Sequence, residues 1–263
     1  MAVWWRHERG GGGNPRCTRG ARAVHARCIV KIAAWSGPRN LSTAMMYAFA
    51  ARGDCAVWDE PFYAPFLLRT GRNDPLRKEI LASHETDPHL VGAMCSGSIP
   101  QGKRHFYMKH MALHLLSDFP TAWCGHCLHI HLIRHPARVV ASYGAKRDGI
   151  TEDDIGFRQQ VDLYEKLGGI VIDSADIRAN PRAMLAMLCN AIDLDFDPAM
   201  LSWPAGGHPS DGAWAPHWYG AVHASTGFAG PEAPLPDLTG PPAELAEAAL
   251  PHYRRLAAVK LEP

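Results

Sequence analysis

The chain has 263 residues, 47% of them hydrophobic and 20% charged, and a formal net charge of +1. That length buries a sizeable core as one domain, and a charge so near zero gives no reason to expect nucleic acid or an anionic membrane as partner. No run is long and apolar enough to cross a bilayer as a helix.

Residues 1–27 differ from the rest. They carry six arginines, one acidic residue (Glu8) and the run Gly10 to Gly13, with no apolar segment fit for a secretory signal. This predicts an unstructured extension ahead of a single domain over 28–263, with an organellar transit peptide or a misplaced start as the alternatives. Seven scattered cysteines, an odd number, point to a reducing compartment, cytoplasmic unless the first stretch is a transit peptide.

Ile29 to Trp35 is an apolar run of strand length, and Ser36-Gly37-Pro38-Arg39-Asn40 supplies the turn that ends it. A helix is expected next. Asn40 is placed to cap it, Ser42 and Thr43 fall in its first turn, and Ala44 to Ala51 suit a helix. Strand, tight loop and helix N-terminus aim backbone N–H groups at one spot, which favours an anion such as phosphate. This is not the G-x-x-x-x-G-K-[ST] loop of ATPases, because the second glycine and the Gly-Lys-Ser/Thr ending are missing. On this stretch alone, phosphate loop and ordinary turn both remain open.

Cys55-Ala56-Val57-Trp58 reads as a second strand ending in Asp59-Glu60-Pro61-Phe62. Those carboxylates stand either at the rim of a sheet, where open α/β folds bind ligands, or in a loop that caps the next segment. Tyr63 to Leu68 is a candidate pocket wall, Asp74 to Asp87 a polar helical excursion and Gly92 to Lys103 a loop. His105 to Lys109 is the next strand, with Lys109 and His110 at its carboxyl end. Cys124-Gly125-His126-Cys127 has the spacing of a redox dithiol and, with His129 and His131, offers zinc ligands. No strand precedes it and a strand-like alternation follows it, so it reads as a turn with two ordinary cysteines.

Leu128 to Ile133 reads as a strand, Arg134-His135-Pro136 as a turn and Ala137 to Lys146 as a helix. Across that bend Arg134 and Ser142 can converge on one anion, the guanidinium as a planar fork and the serine as a hydroxyl. Together with the first loop they suggest two phosphate sites on one ligand.

At these residues the sequence resembles the sulfotransferases that use 3′-phosphoadenosine 5′-phosphosulfate (PAPS). Ser36 to Thr43 is similar to the family's loop for the 5′-phosphosulfate, and Arg134, Pro136 and Ser142 to its 3′-phosphate motif. The likeness runs from Cys28 to Pro263, through Ile170 to Ile177, read as a late strand, Asn180-Pro181 opening a helix to Ile192, and Leu194 to Asp197. Trp35 to Met46 with Asp59-Glu60-Pro61-Phe62 looks like the bacterial-type branch. Two positions depart from the family: Arg39 stands where cytosolic members carry Lys, and their late Gly-x-x-Gly-x-Trp-Lys segment has only a partial echo in Gly212-Ala213-Trp214-Ala215.

The resemblance implies an α/β, three-layer P-loop-type fold with a central parallel sheet flanked by helices. It implies sulfuryl transfer from PAPS to a hydroxyl or amine of a small-molecule acceptor, without a metal. The implied donor site is Gly37, Pro38, Arg39, Asn40, Leu41, Ser42, Thr43, Arg134 and Ser142, with Gly212 and Trp214; the implied catalytic groups are Glu60, Arg39, Lys109 and His110. Glu60 is favoured as base. Members with a carboxylate base carry it in a Glu-Pro segment after the second strand, whereas His110 falls one residue short of the Lys-x-His register of the cytosolic members. A one-residue shift in a strand turns a side chain to the other face. Trp203 to Ala229 reads as a lid or substrate wall, and Pro242 to Val259 as a closing helix bent or capped around Pro251. The alternatives are a nucleotide kinase, a histidine phosphatase suggested by Leu132-Ile133-Arg134-His135, and a non-catalytic nucleotide-binding module.

Overall fold

Among the described residues five strands pair in parallel in the order β2-β3-β1-β4-β5: β1 (Lys31–Ser36), β2 (Cys55–Asp59), β3 (His105–Met111), β4 (Leu128–Ile133) and β5 (Ile170–Asp173). The computed structural model describes residues 29–262, so the expected extension over 1–27 lies outside the described residues. The helices, in chain order, are α1 (Ser42–Ala51), α2 (Tyr63–Thr70), α3 (Arg77–Ser83), α4 (Pro88–Ser96), α5 (Pro136–Gly144), α6 (Glu152–Ile155), α7 (Phe157–Leu167), α8 (Ser174–Ala179), α9 (Pro181–Ala191), α10 (Ala215–Trp218), α11 (Gly220–His223) and α12 (Pro241–Ala257).

Alternation along the strands separates two cores. Ile32, Ala34 and Tyr107 pack on one face with Met45 and Phe49 of α1 and Leu185 and Leu188 of α9. Ala33, Trp35, Phe106 and Met108 pack on the other with Val91 and Cys95 of α4 and Leu163 of α7. Helices thus cover both faces, which is why the strands are near-continuous apolar runs. Met45, Met46 and Phe49 are fully buried, and each contributes roughly 1.5–3 kcal/mol by leaving water. The resulting α/β sandwich of helices, parallel sheet and helices is the architecture expected. The sheet order reverses direction at β1, so its carboxyl end opens a crevice of the kind that binds ligands in such folds.

Several local expectations need correction. Asn40 does not cap α1: the N-cap is Leu41, with φ 67° and no side-chain cap. The Asn40 amide instead donates to the Leu132 carbonyl at 3.2 Å, tying the loop to β4. Part of the expected loop at 92–103 is helix α4, which Asp87 starts by accepting from the His89 N–H at 2.8 Å. The late strand stops at Asp173, whose carboxylate accepts from the Ala175 N–H at 2.8 Å and turns the chain into α8. Pro251 lies inside α12. Gly169 lets β5 close on β4, since a Cβ there would stand 2.5 Å from the His129 carbonyl oxygen.

Candidate active site

A cavity of about 300 Å³ is lined by the β1–α1 loop, the ends of β3 and β4 and residues 218–232. From the predicted set it collects Pro38, Arg39, Asn40, Leu41, Ser42, Thr43, Glu60, Lys109 and Arg134. These come from four separate stretches of chain. The loop owes its shape to unusual backbone: Arg39 and Leu41 have φ of 63° and 67°, left-handed values that are uncommon outside glycine. Gly37 sits behind the cavity wall, where a Cβ would lie 2.6 Å from the Ile155 carbonyl oxygen. The glycine is therefore what lets α6 press against the back of the loop. Ser42 and Thr43 stand in the first turn of α1, whose N–H groups have no intrahelical partners.

Arg39 joins the two predicted phosphate motifs. Its Nε donates to Ser142 Oγ at 2.9 Å, and its carbonyl accepts from Arg134 Nη1 at 2.9 Å. Burial, and then the neighbouring Arg134 charge, lower its pKa below the usual arginine value. Ser142 is not on the cavity lining, so its partner here is the loop arginine.

The charged centre is a buried network. Lys109 Nζ donates to Asp59 Oδ1 at 2.9 Å, to Tyr219 Oη at 2.8 Å and to Glu60 Oε1. Tyr219 Oη lies 2.8 Å from Asp59 Oδ2 as donor and accepts from Trp214 Nε1 at 2.8 Å. Burial opposes the Lys109 charge, but Asp59 and Glu60 outweigh it and raise its pKa. Burial raises the Glu60 pKa, with Lys109 pulling the other way. Glu60 also has φ 40°, a strained value for this residue type. Its other oxygen, Oε2, stands 3.5 Å from His114 Nδ1. Burial, reinforced by Lys109 and Arg72, holds the His114 pKa well below the usual value, so this imidazole is neutral. Elsewhere on the lining Arg72, Asp74 and Asp154 form an ion-paired group, with Arg147 on Asp74 at 3.0 Å.

Besides Gly37 and Ser142, three more predicted site residues lie off the lining. His110 is not at the cavity: it belongs to the opposite face of the sheet, stacked on Trp35 at 4.5 Å, and burial lowers its pKa to about 3. Gly212 and Trp214 support the buried network from behind, since the Gly212 N–H donates to Asp59 Oδ2 at 3.1 Å and Trp214 to Tyr219. Cys124 lies in the 3-10 turn Ala122–His126 ahead of β4 and Cys127 just after it, and burial pushes their thiols up to about 12 and about 11, the reverse of a redox-activated pair. His129 is engaged by Trp35 Nε1 at 3.1 Å. Among the described residues no group of three or more His, Cys, Asp or Glu side chains is placed to hold a metal ion.

The sulfotransferase domain family matches this chain over residues 30–260. The chain belongs to that family. Two curated relatives from Arabidopsis thaliana, described as branched-chain-amino-acid aminotransferase-like proteins 2 and 1, are each 37% identical over 207 residues, or 76% of this chain. The chain spans only 36% and 37% of their lengths, and their description is of those longer proteins. The sulfotransferase domain of the Synechococcus PCC 7002 olefin synthase superposes with a TM-score of 0.50 at 18% identity, covering 88% of this chain and 98% of that one. That likeness is one of fold. A sulfotransferase domain of the curacin biosynthetic pathway gives a TM-score of 0.47 at 15% identity, covering 90% and 94%.

In this sulfotransferase-domain chain, sequence reasoning missed Tyr219, His114, Arg178 and Glu232, all on the cavity lining. Asp59 was expected with Glu60 at the rim of the sheet, but its role as the buried anchor of Lys109 and Tyr219 was not. His114 carried no signal of its own, because the 3-10 turn Ala112–His114 that brings it beneath Glu60 has no spacing rule behind it. Of the expected lid, Trp218 to Ala229 supplies cavity wall, whereas Trp203 lies in the core against Tyr47.

Proposed function

We propose that this sulfotransferase-domain chain moves the sulfuryl group of PAPS to a hydroxyl or amine of a small-molecule acceptor. The observation that supports this reading is the meeting, at one cavity, of the β1–α1 loop, the Lys109–Glu60 pair and Arg134. The donor set suits a polyanion, since it joins unpaired helix N–H groups, two hydroxyls and permanent guanidinium charge. When bound, PAPS supplies a sulfur whose bond to the 5′-phosphate oxygen breaks as the acceptor's bond to sulfur forms, leaving adenosine 3′,5′-bisphosphate.

The loop amides, Arg39, Ser42 and Thr43 hold the 5′ end and neutralise charge on the departing phosphate oxygen. Lys109, fixed by Asp59 and Tyr219, would supply positive charge to the sulfuryl group in transfer. Glu60 takes the proton from the attacking hydroxyl or amine; its raised pKa brings its proton affinity nearer to what a base at neutral pH requires. The 3.5 Å approach of His114 favours a second reading of that step, in which the neutral imidazole takes the proton and Glu60 steadies its Nδ1 side.

Calorimetry with adenosine 3′,5′-bisphosphate against ATP, followed by transfer from labelled PAPS, tests the reading. The bisphosphate is expected to bind and ATP to bind far more weakly. A preference for ATP would restore the kinase alternative, and binding without turnover of PAPS would leave a nucleotide-binding module.

A further inference from the structure

Three arginines converge on one carboxylate at the edge of the cavity. Arg134 Nη2 lies 2.6 Å from Glu232 Oε1, Arg178 Nη1 lies 3.1 Å from the same oxygen, and Arg138 Nε lies 2.6 Å from Oε2. The Glu232 side chain is only 4% exposed. It sits in a stretch over 228–240 without helix or strand. Among the described residues, the hydrogen bonds to residues 230–233 come from these same arginines: Arg178 Nε to the Gly230 carbonyl at 2.9 Å, Arg138 to the Ala233 carbonyl, and the bonds to Glu232 itself.

The charges do not balance. Guanidinium stays protonated in proteins, so three cations face one anion and two positive charges remain. Glu232 offers two oxygens for three forks, and Oε1 is shared between Arg134 and Arg178. A phosphate monoester carries about two negative charges at neutral pH and three acceptor oxygens, one for each fork.

Resting on the PAPS reading above, we propose that Arg138 and Arg178 join Arg134 in holding the 3′-phosphate of the nucleotide, and that Glu232 is an internal occupant of this subsite which only a dianion displaces. Glu232 is then a specificity residue. A nucleotide without the 3′-phosphate leaves it in place, while a 3′-phosphorylated one expels it and frees residues 230–233 from their arginine ties.

The test is calorimetry on the full chain with adenosine 3′,5′-bisphosphate and adenosine 5′-monophosphate. Glu232→Gln is expected to bind the bisphosphate about tenfold tighter, the effect of removing one charge-assisted competitor, with the monophosphate unchanged. Arg178→Ala, which keeps Glu232, is expected to weaken the bisphosphate alone by a similar factor. Equal or weaker bisphosphate binding by Glu232→Gln, or an equal loss for both nucleotides in Arg178→Ala, overturns the proposal. If wild-type protein binds neither nucleotide, the donor reading itself fails, and inorganic phosphate then decides this one. Phosphate against chloride at equal ionic strength should raise the melting temperature of Glu232→Gln more than that of wild type; an equal rise overturns it.

Discussion

Lys109 Nζ lies 2.9 Å from Asp59 Oδ1, with the two side chains 2% and 1% exposed, so each charge depends on the other for what water would have supplied. Asp59 also receives the Tyr219 hydroxyl and the Gly212 N–H. Asp59→Ala takes an acceptor from all three donors and leaves Glu60 as the one carboxylate on Lys109. It should cost about 3–5 kcal/mol, the range for removing one partner of a buried pair. Urea unfolding measures it, and a loss below about 1 kcal/mol would mean that water reaches the network.

Arg39→Ala should weaken nucleotide binding and lower turnover together, because the same charge serves the bound donor and the leaving phosphate. Ser142→Ala removes the hydrogen bond that steadies Arg39 and should cost about 1 kcal/mol in affinity, equally for adenosine 3′,5′-bisphosphate and adenosine 5′-monophosphate. A loss confined to the bisphosphate would instead put the Ser142 hydroxyl on the 3′-phosphate.

Activity should fall on acidification. A base works deprotonated, and burial raises the Glu60 pKa, so the acid limb lies above the ordinary glutamate value near ~4.3. Glu60→Gln should abolish most turnover with little change in nucleotide affinity. A Glu60→Gln enzyme that retains activity while His114→Ala is dead would transfer the proton to the imidazole.

Stability should also decline in acid, beginning near the ordinary histidine pKa. Burial lowers the pKa of His110 to about 3 and of His131 to about 4. Below about pH 6.5 the unfolded chain takes up protons that the fold refuses, so the stability held by these neutral rings is full above that pH and is lost as pH falls towards their folded values. Each ring contributes a slope of about 1.4 kcal/mol per pH unit across that window. His110→Phe, which keeps a ring against Trp35, should flatten the slope seen in urea midpoints between about pH 6 and 4.

Gly37→Ala should shift the loop. Its Cβ would meet the Ile155 carbonyl at 2.6 Å, and a main-chain oxygen cannot swing aside as a side chain does. The expected cost is about 1–3 kcal/mol, the scale of overpacking, with weaker nucleotide binding because Arg39 and Leu41 follow directly. Wild-type stability and affinity in this variant would show that α6 can retreat.

What was legible in the sequence was local. Strand alternation, the Gly-Pro turn and the Arg134 to Ser142 spacing arise from neighbours along the chain, so they located the β1–α1 loop and put Lys109 and His110 on opposite faces before any packing was known. What depended on tertiary structure was the partner of each polar group. Lys109 and Tyr219 stand 110 residues apart, and Arg134 meets Glu232 from a separation of 98. No periodicity encodes such pairings. They arise because a buried charge must find its counterpart among whatever groups the fold delivers. The same reason turned Gly212 and Trp214 from expected nucleotide contacts into supports of Asp59 and Tyr219, and brought His114, silent in the sequence, to Glu60.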